Sequence, residues 1–181
     1  FKSLSLNAKW GLGFHSNDTR LVIENPDYLA IPLVQSFDAG MDFSPLNNLF
    51  LSASAWLMQS EQEFVYVGDA GIVEPSGATT RKGIDLSATY QFKDLAFLNV
   101  NANYSHARAD GEEDDFIPLA APLTSSASLK IKLSDKISTA WNSRLMSDRP
   151  ANESNSIKIE GYFINDFNIG WDNDKISFQL S

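Results

Sequence analysis

His15, Asn17, Asp18 and Arg20 fall within six positions just past an alternating run that ends near Phe14. An imidazole beside a carboxylate and a guanidinium can hold a metal chelate or an anion, so these four form the candidate ligand-binding group. Their competing use is local, because Asn and Asp side chains readily satisfy the backbone amides of their own loop. His106 with Asp110 is a second imidazole and carboxylate pair. A hydrolase built on either pair needs the imidazole held by its carboxylate and within reach of a nucleophile or water. The chain contains no His-Glu-x-x-His, Gly-x-Ser-x-Gly or phosphate-binding glycine loop. No catalytic residue is therefore assigned, and the chain is expected not to be an enzyme. The acidic run over 110–115 lacks the spaced oxygen ligands and positioned glycine of a calcium loop, and reads as a solvated apex. No metal site and no cofactor are expected. Arg81, Arg144 and Arg149 could attract an anionic ligand or pair with carboxylates, and Trp56 could stack on a ligand ring or pack against protein.

These groups need a scaffold, and composition narrows it only slightly. The 181 residues are 43% hydrophobic, carry a net charge of −9 and include no cysteine. Disulfides, thiolate metal sites and cysteine nucleophiles are thereby excluded. The acidic balance, without any basic stripe, argues against a nucleic-acid partner. No apolar run is long enough for a transmembrane helix. Membrane barrels escape that test, because apolar and polar side chains alternate along each strand. Phe1 leads straight into a strand pattern with no secretion signal before it, so the chain reads as a piece of a larger protein.

The alternation is explicit over 83–92, where Ile84, Leu86, Ala88, Tyr90 and Phe92 share one face, opposite Gly83, Asp85, Ser87, Thr89 and Gln91. After a two-residue turn at Lys93 and Asp94 it resumes with Ala96, Leu98, Val100, Ala102 and Tyr104, which predicts an antiparallel hairpin. Similar runs begin at Leu4, Phe37, Leu49, Leu123, Ile137, Phe163 and Ile176. About nine strands of roughly ten residues follow, the length that crosses a bilayer at a tilt. Connections alternate between tight turns near 45–48, 93–94, 134–136 and 172–174, and long segments over 15–33, 60–80, 107–121 and 148–156. That rhythm, with Phe14, Phe43, Phe92, Tyr104 and Trp171 near strand ends as aromatic girdles, predicts an all-β antiparallel transmembrane β-barrel segment. Short turns would be periplasmic and long loops extracellular, and the opposite face, rich in Asn, Ser, Thr, Gln, Asp and Lys, would line a wet lumen.

Three passages add a resemblance. They are 68–77 returning through Thr80, Arg81, Lys82, Gly83, Ile84, Asp85 and Leu86; then 10–20; then 116–122 through 148–151 to Gly161 and Tyr162. Taken together, in their order along the chain, they resemble the barrel of TonB-dependent outer-membrane receptors, with residues 1–181 as a partial barrel domain. The resemblance implies energised uptake of a small-molecule ligand such as an iron chelate, cobalamin or a sugar across the outer membrane of a Gram-negative cell. It also implies a TonB motor complex acting through a plug domain, and contact with outer-membrane lipid and lipopolysaccharide, whose phosphates are further partners for Arg81, Arg144 and Arg149. Neither the plug nor a further closing strand after Ser181 is found in the sequence. A passive porin is the nearest alternative, and a soluble ligand-binding barrel or a barrel hydrolase stands further off.

Overall fold

Small polar residues alternating with aliphatic and aromatic ones can satisfy a pleated ladder while keeping each chemistry on its own face. The computed structural model describes residues 3–14, 16, 22–23, 28–67, 72–75, 77–173 and 176–180, and among these the pattern becomes nearly continuous sheet. Its strands are β1 (Ser3–Phe14), β2 (Leu33–Leu46), β3 (Leu49–Ser60), β4 (Phe64–Val67), β5 (Ile72–Pro75), β6 (Thr79–Phe92) and β7 (Ala96–Ala109). There follow β8 (Leu123–Lys132), β9 (Ile137–Met146), β10 (Arg149–Pro150), β11 (Lys158–Ile159), β12 (Tyr162–Asn173) and β13 (Ile176–Leu180). Nine of them form one antiparallel sheet in the order β1-β2-β3-β6-β7-β8-β9-β12-β13, and β4-β5 and β10-β11 are separate two-stranded ribbons within long connections. No described helix is long and apolar enough to cross a membrane, which has no bearing on crossing by strands.

Pairing registers put every predicted apolar row on one face. Leu6, Met41, Ala53, Leu86 and Ala102 are successive cross-strand partners. The stripe they belong to runs obliquely. Its lower limit on β1, Leu4, maps through Phe43, Leu51, Ala88, Val100, Ala127 and Ser143 to Asn165 on β12, whereas the stripe on β12 extends to Trp171. A shift from 165 to 171 over the seven strand steps is about 20 Å along the strand against about 34 Å across it, a tilt of about 30°. A stripe level with a bilayer requires such a tilt.

Among the described residues, this face has no protein cover. Leu6 is 73% exposed, Trp10 62% and Phe167 68%, while the buried apolar residues among those described are Ala107, Ala109 and Ile117. A soluble sheet would lay so large an apolar surface against a second layer. Phe14 and Tyr104 end the stripe at the long-loop rim, and Phe43, Phe92 and Trp171 end it at the short-turn rim, as a girdle requires.

The short turns differ in detail from the sequence expectation. Pro45 and Leu46 belong to β2, at a register shift between Phe43 and Leu46, because proline lacks the donor needed to continue the ladder. Phe92 pairs with Ala96, so the next turn holds three residues, Lys93, Asp94 and Leu95, with Lys93 at φ 49°. In the β8-β9 turn, the hydrogen bond from the Lys132 ammonium holds the Asp135 carboxyl below the usual carboxylate range. Of the β12-β13 turn expected at 172–174, Asp172 and Asn173 belong to β12, and residue 174 lies outside the described residues.

Candidate functional site

The other face of the sheet is polar by the same parity. Asn99, Asn101 and Asn103 project from β7 and form a ladder: Asn99 donates to Thr89 at 2.9 Å, Asn101 donates to the Asn99 side-chain oxygen at 2.7 Å, and Asn103 donates to Asp85. Amides and hydroxyls so arranged leave further donors and acceptors for water or a polar occupant. A groove of about 430 Å³ follows the upper part of this face, lined by Ser54, Asp85, Asn101, Asn103, Arg144 and Tyr162. A wider one of about 760 Å³ lies toward the short-turn rim, with Lys130, Lys132, Asp172 and Gln179 among its lining.

Two long connections fold inward over this face. Ile117, 4% exposed, packs on Ala107, whose side is lumenal. The Leu119 amide donates to the Pro150 carbonyl at 2.8 Å and the Phe116 amide to the Glu153 carbonyl at 3.1 Å, which ties the two loops together. A third connection is anchored by Glu63, whose carboxylate accepts from Thr79 Oγ1 at 2.8 Å and from Arg81 Nη2 at 2.5 Å. Thr79 is 1% exposed, so its hydroxyl depends on that carboxylate. Replacing Glu63 with alanine is expected to cost about 1–3 kcal/mol locally, read as faster amide exchange and proteolytic nicking across 61–78. Unchanged exchange there would refute the anchoring role.

His15, Asn17, Asp18 and Arg20 lie outside the described residues. The other candidates are placed. Arg81 is on the lumen side and bound to Glu63, and Arg144 is on the same side, 3.7 Å from Asp166. Arg149 opens the β10-β11 ribbon. Trp56 faces the lumen but lies over Gly83: a Cβ there would come within 2.5 Å of Trp56 Cζ2. The indole is a packed lid on a glycine. Asp110 accepts from Thr80 Oγ1 at 2.9 Å, and Asp115 pairs with Arg108 at 3.1 Å. His106 instead stands opposite Lys82 across the ladder. Lys82, His106 and Arg108 form a group that the sequence reading did not assemble. Extending the parity of Ile84 and Tyr104 two and four positions outward would have found it.

A tilted sheet with one bare apolar face, one polar face, aromatic edges and alternating short and long connections is a wall of a transmembrane β-barrel. The chain belongs to the family described as TonB dependent receptor-like, beta-barrel, whose model matches residues 2–181. Members of that family are outer-membrane proteins of Gram-negative bacteria. The short turns are accordingly periplasmic and the long loops extracellular.

Solved structures share the fold at low identity. The ferripyoverdine receptor of the outer membrane of Pseudomonas aeruginosa superposes with a TM-score of 0.76 at 14% identity, over 97% of this chain and 26% of its own. The copper transporter OprC gives 0.73 at 16%, over 95% and 29%. The ferric yersiniabactin uptake receptor FyuA from Yersinia pestis gives 0.67 at 13%, over 94% and 27%. The chain thus spans between a quarter and three tenths of the length of these proteins. Comparison with curated protein sequences finds no significant match.

Proposed function

We propose that this chain is one side of the barrel of a receptor that takes up a scarce small molecule by energised transport. Its residues 1–181 would then be part of one barrel domain, closed by strands contributed from elsewhere in the protein. The carrying observation is the pairing of a bare apolar outer face with a polar inner face over which extracellular loops fold, in a chain of this family. The solved relatives are named for ferripyoverdine, ferric yersiniabactin and copper, which supports a metal complex as cargo, with cobalamin or a sugar as the other chemistries such a lumen suits. The barrel's proposed work is binding and passage, as the receptors and transporters that share this fold are named for. The TonB motor would act through a plug domain held by the polar ladder and the two lumenal grooves. His15, Asn17, Asp18 and Arg20 follow the extracellular end of β1 in sequence and are proposed to contribute to the outer rim's ligand contacts.

The test is uptake by cells carrying the complete receptor under metal limitation. Accumulation of a labelled ferric chelate is expected to require both the receptor and an intact TonB complex. Accumulation that persists at the same rate without the motor would point to a passive pore and overturn the reading.

A further inference from the structure

The charges of the main sheet are sorted by face. Asp38, Asp42, Asp85, Asp166 and Asp172, the carboxylates on its described strand residues, all have lumenal parity. Lys9, Arg81, Lys130, Lys132 and Arg144 share that side. Among the described strand residues of this sheet, the basic side chains of outward parity are Lys82, His106 and Arg108, on the adjacent strands β6 and β7. Lys82 and His106 are direct cross-strand partners, which places their Cβ atoms about 5 Å apart. Arg108 is the next outward position on β7 beyond His106. Immediately below lie Ile84 and Tyr104, the last members of the apolar stripe on these two strands. The cluster therefore begins about 7 Å above the hydrocarbon limit, on the lipid side, at the extracellular rim.

Arg108 is held rigidly. Its guanidinium lies 3.8 Å from the centre of the Phe116 ring and its Nε is 3.1 Å from Asp115. The bridge between Arg108 and Phe116 keeps both side chains on the outward face. Asp115 occupies part of the Arg108 fork. Lys82 makes no ion pair among the described residues, and its side is open to the surroundings. An ammonium and an imidazole beside a fixed guanidinium, above an apolar wall, match a lipid whose acyl chains run down that wall and whose head carries phosphate.

We infer that Lys82 and His106, with Arg108 beside them, form a docking site for a phosphate of an outer-leaflet glycolipid on the outer wall of the barrel. The acyl chains would lie along Ile84, Leu86, Ala102 and Tyr104. The site is independent of the cargo, since it faces away from the lumen.

The complete receptor, purified in detergent, is incubated with bisphosphorylated lipid A or its dephosphorylated form, and retained lipid is measured by mass spectrometry. Wild-type protein is expected to retain the bisphosphorylated form about ten-fold better. The Lys82→Gln, His106→Gln double variant should lose that preference, whereas Lys82→Arg and the opposite-rim control Lys93→Gln should keep it. Folding of each variant is checked by heat-modifiable gel migration, and the two-lipid comparison on wild-type protein needs no variant. Equal retention of both lipids by wild type, or an undiminished preference in a folded double variant, overturns the site.

Discussion

Phe37→Lys, Met41→Lys and Phe43→Lys placed together in β2 are expected to abolish assembly into the outer membrane. Phe37 and Met41 are partners of Trp10 and Leu6 on one side and of Leu57 and Ala53 on the other, well inside the apolar stripe. A lysine there must leave its ammonium in hydrocarbon or bend it toward a headgroup, at about 2–4 kcal/mol for each position near the midplane. Phe43 lies at the periplasmic edge and contributes up to about 1 kcal/mol more. The sum is comparable with the whole stability of a folded domain, about 5–15 kcal/mol. Asp42→Lys is the matched control, since Asp42 pairs with Ser5 and Ser52 on the wet face and should assemble normally. Urea-resistant membrane association and heat-modifiable migration report the outcome. Wild-type assembly of the triple variant would show that the face is not lipid-exposed.

The same alternation explains why the wall was legible in sequence and the mouth was not. Ile84 to Phe92 and Ala96 to Tyr104 each repeat with period two, and the structure pairs Ile84 with Tyr104 and Phe92 with Ala96. Parity alone puts Trp56 on the lumen side, and the register agrees. The turn between β6 and β7 was read one residue short because Leu95, being apolar, looks like a strand residue. The pairing of Phe92 with Ala96 needs it in the turn, and Lys93 adopts φ 49° to make the reversal. Loop contacts have no period to read. Leu119 bonded to Pro150, or Phe116 to Glu153, depends on two segments far apart in sequence meeting above the sheet. The outward basic group was missed for a different reason. His106 was weighed against Asp110 as an acid-base pair by sequence proximity, whereas the ladder sets it against Lys82 and gives Asp110 to Thr80.

Gly83→Val is expected to destabilise the barrel by about 2–4 kcal/mol, because the wall at this point is closed by an aromatic ring where a side chain would otherwise stand. Trp56 is the cross-strand partner of Gly83 on the lumen side, and its Cζ2 and Cε2 lie 2.5 and 2.7 Å from the place a Cβ would occupy. The Tyr104 carbonyl crowds the same place from the neighbouring strand. A large ring over a glycine restores the packing that a strand glycine gives up. Trp56→Ala alone should then cost about 1–3 kcal/mol. In the double variant the effects should fall short of additive by about 1 kcal/mol or more, since removing the indole relieves part of the overlap but leaves the carbonyl. Urea midpoints of the assembled barrel, followed by loss of heat-modifiable migration, give all three values. A wild-type midpoint for Gly83→Val, or strict additivity, would free Trp56 from its packing role and return it to the lumen as a surface for stacking a ligand.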